Sequence, residues 1–226
     1  MLRFWVEQKQ GDYFIFDKNN LERIKANRLK EGDNILCLYH KEYYQASIVK
    51  NEALIIKKME INNEFKHDIV YALPLIKYKK IDLLVQKLTE LGVKKLQLLF
   101  SDNVSIKYTE FDLKKKIERW EAISKAATEQ SFRNEAMKIE FPISFDNLLA
   151  KYPTYNKFIA HEKNEYKESF FLEGDLLLLS GPEGGFSDQE IDAAIENNFQ
   201  VISLGKTILR AESAAIKLAS LININN

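Results

Sequence analysis

Leu176-Leu177-Leu178-Leu179-Ser180-Gly181-Pro182-Glu183-Gly184-Gly185-Phe186-Ser187-Asp188-Gln189-Glu190 reads as a strand, a glycine-rich loop and the first turn of a helix. Four successive leucines without polar alternation suit a strand covered on both faces, as in parallel sheets. Ser187 is the expected N-cap, and Glu190, three residues on, completes a capping box. Open α/β sheets bind ligands beyond the carboxyl ends of their strands, so a ligand is expected at this loop. Glycines let a ligand touch backbone. Glu183 would repel a phosphate and suits a ribose hydroxyl or a cationic ligand better. The G-x-G-x-x-G spacing is absent. A tight turn needing φ > 0 accounts for the same glycines equally well.

Outward from this stretch, strands and helices alternate from Val70 onward. Val70–Ile76, Leu96–Phe100, Lys157–Ala160 and Gln200–Leu204 read as strands. Lys80–Leu91 reads as a helix with Ile81, Leu84, Val85, Leu88 and Leu91 on one face and Gly92 as its stop. Leu113, Ile117, Trp120, Ile123 and Ala127 mark a long helix to about residue 131, and Ala211–Leu221 a final one. The pattern predicts a parallel sheet covered by helices. Two further strand ends carry polar residues. One is His161-Glu162. The other is Ser203-Leu204-Gly205-Lys206-Thr207-Ile208-Leu209-Arg210-Ala211-Glu212, where Gly205-Lys206-Thr207 imitates a phosphate loop but Gln200 stands in place of its first glycine. Arg210 and Glu212 read either as a surface pair or as groups facing a substrate.

Upstream, Tyr13–Phe16, Asn34–Tyr39, Tyr43–Val49 and Ala53–Ile56 are rich in strand formers, with turns at 31–33 and 39–42 and a short helix over Leu21–Lys30. Closely spaced short strands suggest a small barrel or sandwich. The boundary is placed at 68/69. A chain of 226 residues accommodates two such domains.

Basic and acidic residues balance at 33 each, but unevenly: 12 against 11 over 1–70, 14 against 10 over 71–140, and 7 against 12 over 141–226. The middle segment, at +4, leaves room for a basic face on a neutral protein. The single cysteine, Cys37, excludes an internal disulfide and a Cys-rich zinc site, and the three scattered histidines suggest no metal. No stretch is apolar enough to span a membrane, and the cytoplasm is the expected location.

Gly-Pro-Glu-Gly-Gly-Phe-Ser (181–187), Leu-Gly-x-x-Ile-Leu-Arg-x-Glu-Ser-Ala (204–214), Gln-Lys-x-Thr-Glu-Leu-Gly-Val (86–93) and Glu-Gln-Ser-x-Arg (129–133) together resemble the RsmE family. These are bacterial uridine-N3 methyltransferases of small-subunit (16S) ribosomal RNA, of the SPOUT class. The resemblance spans essentially the whole chain. It implies a PUA-like β-barrel over 1–68 that binds RNA, and a SPOUT α/β domain over 69–226 with a C-terminal trefoil knot. It further implies a homodimer, S-adenosylmethionine as cofactor, and a uridine of the decoding region within the small subunit as acceptor. The cofactor would lie among Ala160, His161 and Glu162; Ser180, Gly181, Pro182, Glu183 and Gly185; and Leu204, Gly205, Ile208 and Leu209. Arg210 and Glu212 would be the catalytic pair. Arg3, Arg23, Lys25, Arg28 and Lys30 would contact RNA phosphates, extended by Lys87 and Arg133.

The sequence departs from the family at Glu22, where a histidine is usual, at Met137, where a proline is expected, and at Thr207, Ala211 and Ser213. The altered segment 22–28 keeps open an RNA-binding ribosome-assembly protein of the same fold without activity. A nucleotide enzyme using NAD is disfavoured by the missing fingerprints.

Overall fold

The computed structural model describes residues 1–104, 108–162 and 172–222. The chain divides into two compact units, Met1–Glu64 with Thr128–Glu135, and Phe65–Ala127 with Ala136–Asn226. The expected boundary at 68/69 differs from this division in two respects: the break falls at 64/65, and residues 128–135 group with the first unit.

The first unit holds strands β1 (Arg3–Trp5), β2 (Gln8–Gln10), β3 (Tyr13–Ile15), β4 (Asn34–Tyr39), β5 (Glu42–Val49) and β6 (Glu52–Lys58), and helix α1 (Lys18–Ala26). They form one sheet in the order β1-β4-β5-β6-β3-β2, antiparallel except for β1 beside β4. Inward positions of the strands bury Phe4, Phe14, Ile35, Cys37, Ala46, Ile48 and Ala53. Burial pushes the Cys37 thiol up to about 12, so it is an inert core residue. The β4–β5 hairpin turns at His40 and Lys41, both at positive φ, as a two-residue loop requires. Helix α1 is capped by Asp17, whose carboxylate accepts from the Asn20 amide at 2.7 Å. The helix thus starts three residues before the expected Leu21.

Residues 128–135 supply this unit with polar ties. Asn134 Nδ2 donates to Lys41 O at 2.9 Å and to Ile61 O at 2.8 Å. The Tyr43 hydroxyl donates to Arg133 O at 2.7 Å. The Arg133 guanidinium and the Glu64 carboxylate, 5% and 10% exposed, form an ion pair at 2.5 Å. Glu64 also accepts from the Asn134 amide at 2.7 Å and the Glu135 amide at 3.1 Å.

The second unit holds β7 (Ile69–Pro74), α2 (Tyr78–Glu90), β8 (Lys95–Leu99), α3 (Glu110–Ser131, whose last turn falls in the first unit), β9 (Lys138–Ile143), α4 (Phe145–Lys151), β10 (Asn156–Ala160), β11 (Leu176–Ser180), α5 (Asp188–Glu196), β12 (Phe199–Ile202) and α6 (Ala211–Ala219). The sheet order is β12-β10-β11-β7-β8-β9, all parallel. The continuous apolar runs now have a physical account. In β7, Ile69, Tyr71 and Leu73 join the core beneath α2, α3 and α6, while Val70 and Ala72 join the core beneath α4 and α5. Leu176 and Leu178 divide from Leu177 and Leu179 in the same way. The architecture is thus the expected one, a β-sheet unit followed by a parallel α/β unit.

Helix α2 ends in a Schellman motif. The Val93 amide donates to Leu88 O at 3.0 Å and the Gly92 amide to Thr89 O at 3.1 Å. Gly92 sits at φ +88°, and a Cβ there would lie 2.0 Å from the Phe65 ring. Gly92→Ala should therefore cost about 2 kcal/mol, from left-handed backbone and ring displacement together. The thermal midpoint should fall by about 4–8 °C. An unchanged midpoint would show that the glycine is dispensable.

Candidate active site

Strands β11, β10 and β12 are neighbours, and their carboxyl ends are level: Ala160 pairs with Ser180 on one side and Ile202 on the other. The three loops that follow them are therefore brought together. The His161 amide donates to Ile202 O at 2.9 Å, carrying the β10–β12 ladder one residue further. A cavity of about 710 Å³ opens between the loops, within the usual size range for small-molecule sites.

Of the residues expected to hold a cofactor, Ala160, His161, Glu162, Gly181, Pro182, Glu183, Gly185, Leu204, Gly205, Ile208 and Leu209 line this cavity. Ser180 does not. It is fully buried, and its hydroxyl accepts from the Tyr71 hydroxyl at 2.7 Å beneath the loop. Arg210 lines the cavity, and Glu212 stands behind it in the first turn of α6. The 181–186 loop is held from both sides. Gly185 takes φ +70° and its amide donates to Pro182 O at 3.0 Å, which closes the turn. Ser187 and Glu190 form the expected capping box. Ser187 Oγ also donates to Asp102 Oδ2 at 2.8 Å, and Glu190 Oε1 accepts from the Asp102 amide at 3.1 Å.

Lys80, in the first turn of α2, joins the site although the sequence reading gave it no role. Its Nζ lies 2.9 Å from Glu212 Oε2 and 3.2 Å from Glu183 Oε1. Strand β7 pairs with β11, so the residues after β7 emerge at the same edge. The strand-end rule applied to Val70–Ile76 would have found it. The hydrogen bond to Glu212 raises the Lys80 ammonium above its ordinary range, against the effect of desolvation and with help from Glu183. Burial pushes the Glu212 carboxyl up. The hydrogen bonds from Lys80 and its own backbone, with the charges of Lys80 and Arg210, outweigh that and hold it below the ordinary range. Glu212 is therefore a carboxylate, and Lys80 a cation, at neutral pH.

The residues expected to contact RNA separate into two groups. Lys25, Arg28 and Lys30 are exposed, and Arg3 is half-buried with its guanidinium 5.1 Å from the Phe132 ring centroid. Lys87 is paired with Glu90 at 2.8 Å. Arg23 is turned inward. It pairs with Glu129 at 2.5 Å, donates to Arg3 O at 3.0 Å and covers the Phe4 ring. Arg133 is 4% exposed and committed to Glu64. A phosphate at either Arg23, whose side chain is 38% exposed, or the buried Arg133 would have to displace a carboxylate.

A model of the RNA methyltransferase domain matches residues 63–223. Ribosomal RNA small subunit methyltransferase E of Mesomycoplasma hyopneumoniae is 41% identical over 96% of this chain and 97% of its own length. The protein of that name in Bacillus subtilis is 30% identical over 88% of this chain and 85% of its own. Among solved structures, the Neisseria gonorrhoeae ribosomal RNA small subunit methyltransferase E bound to S-adenosyl methionine superposes with a TM-score of 0.86 at 26% identity, covering 97% of this chain and 95% of that one. The two motifs that lie at strand ends, the family model and relatives alike over nearly full length agree: the chain belongs to the ribosomal RNA small subunit methyltransferase E family of RNA methyltransferases.

Proposed function

We propose that this protein transfers a methyl group from S-adenosylmethionine to N3 of one uridine in the decoding region of small-subunit ribosomal RNA. The observation that carries this reading is the meeting of a nucleoside-sized cavity with Arg210 and the Lys80–Glu183–Glu212 cluster at one sheet edge. The residues present fit the cofactor. Pro182, Leu204 and Leu209 offer apolar surface for an adenine, and the three loops present backbone to its ring nitrogens. Glu183 offers an acceptor for ribose hydroxyls. The cofactor, when bound, supplies a methyl group on a positively charged sulfur. The protein's share of the rate is then positioning and charge stabilisation.

Uridine N3 carries a proton, and its loss spreads negative charge onto the adjacent carbonyl oxygens. Arg210 lines the cavity and makes no ion pair among the described residues, so its charge is available to that oxygen. Glu212 is held ionised by Lys80 and is the acceptor for the proton, directly or through water. Lys80 is a positioning residue that bridges two carboxylates and offsets one of their two charges beside a polyanionic substrate. Arg3, Lys25, Arg28 and Lys30 are retained as phosphate contacts. A cytoplasmic homodimer is part of the proposal. Ile208, 83% exposed on a cavity loop, supports a covering partner.

The test is methyl transfer from labelled cofactor to unmodified small ribosomal subunits, with naked RNA alongside and the product identified by nucleoside mass spectrometry. Methyl-3-uridine at one position is expected. A different methylated nucleoside, or none, overturns the reading.

Lys80→Met gives a pH signature. Without Lys80, the Glu212 carboxyl loses the hydrogen bond and the charge of Lys80 that help to hold it down, and it titrates higher than in wild type. The acid limb of the methyl-transfer profile should move to higher pH. The sign for stability agrees. A carboxyl depressed in the folded state contributes its full stabilisation above the unfolded value and loses it as pH falls through the folded one. Wild type should therefore keep the pair to more acidic pH than an unpaired glutamate would. An acid limb unmoved by the substitution would remove Glu212 from the proton step.

A further inference from the structure

A second cavity, of about 430 Å³, is lined by Lys77, Tyr78, Lys79, Lys80 and Tyr108. Lys80 lines both this cavity and the first one. We propose that this slot binds one nucleotide of single-stranded RNA, with its base against the tyrosine rings and its phosphates on Lys77 and Lys79. The proposal rests on the reading that the substrate is RNA and goes beyond it in naming where a nucleotide of the strand is seated.

The aromatic wall is built rigidly. The Tyr108 hydroxyl donates to Ile76 O at 2.9 Å, which ties that ring to the chain just before α2. Tyr78, which lines the slot, is 45% exposed, so its ring is open to a ligand. Lys116 lies 4.1 Å above its ring centroid, holding the ring and adding a cation to the rim. Lys77 and Lys79 are exposed and have no acidic partner among the described residues. Glu183 and Glu212, the acids beside Lys80, both pair with it, which offsets one of their two negative charges. An apolar slot with fixed aromatic walls and unpaired cations matches one class of ligand well: a base with a π-face on a phosphate backbone. The +4 charge of residues 71–140 has its least compensated part here.

The experiment is anisotropy titration of fluorescein-labelled single-stranded oligouridylate, repeated across a salt series. The proteins are wild type, Tyr78→Ala, Tyr78→Phe and the Lys77→Ala/Lys79→Ala double variant. S-adenosylhomocysteine affinity and the thermal midpoint serve as controls. Tyr78→Ala should weaken binding by about 5- to 100-fold, the effect of one lost base–aromatic stack, with the salt slope kept. Tyr78→Phe should bind as wild type. The lysine variant should reduce the slope by about 1.4, for two phosphates of a single strand. Wild type that does not bind oligouridylate, Tyr78→Ala that binds like wild type, or Tyr78→Phe that fails like alanine overturns the slot. The outcome is separable from the proposed activity. Failed methylation with tyrosine-dependent binding removes the activity and keeps the slot. Normal methylation with tyrosine-independent binding does the reverse.

Discussion

Arg210→Ala should lower methyl transfer to small subunits by about 10²–10³-fold, the usual cost of removing one donor aimed at developing oxyanion charge. Its affinity for S-adenosylhomocysteine should stay close to wild type. The prediction follows from where the residue stands. Arg210 is the N-cap of α6, with φ −66° and ψ 154°, and its side chain caps nothing. It lines the cavity without an ion pair among the described residues, so no structural bond is lost with it. The loss should fall mainly on kcat, because the charge it meets exists only as the N3 proton leaves. Arg210→Lys should recover part of the rate, since a point charge replaces a planar fork. Equal losses of kcat and cofactor affinity would mean that Arg210 shapes the cofactor loop instead.

Arg133→Ala should destabilise the first unit by about 3–5 kcal/mol, because it leaves a buried carboxylate without its counter-charge. Glu64→Leu should cost more. Besides stranding the guanidinium, it removes the acceptor for the Asn134 and Glu135 amides. Urea unfolding followed through Trp5, which lies in this unit, measures both. RNA affinity should change only in proportion to the folded fraction. A variant as stable as wild type that has lost RNA would restore Arg133 to the phosphate contacts.

These two arginines show what was legible. The rule that puts ligands at strand ends brought Arg210 to notice, since its strand announces itself as an apolar run, but left it open between a surface pair and a substrate contact; only the resemblance gave it a catalytic role. The 176–196 strand, loop and capped helix were readable because each carries a local signature, down to Ser187 and Glu190. Arg133 was misread as surface. Its partner Glu64 is 69 residues away, and nothing local tells a solvated arginine from one that meets a distant carboxylate. Strands β1 and β2 escaped notice for a different reason. Each has three residues, and Gln8-Lys9-Gln10 is polar and fully exposed, held by its pairing with β3 alone. Strand β9, which contains Pro142, lies at the sheet edge where proline is tolerated and the apolar pattern fades. Lys80 was within reach, since β7 obeys the same rule as β11.

The grouping of Thr128–Glu135 with Met1–Glu64 bears on how such a protein can be recombined. A cassette ending at residue 64 or 68 carries Tyr43, Ile61 and Glu64 but leaves behind the carbonyl, amide and guanidinium that satisfy them. Grafting this sheet onto another enzyme, or trading it between relatives, therefore means transplanting two stretches of chain at once. The contacts predict that drift in one stretch constrains drift in the other: a change at Glu64 should be best tolerated alongside a change at 133 or 134, although a stretch of the α/β unit is encoded between them.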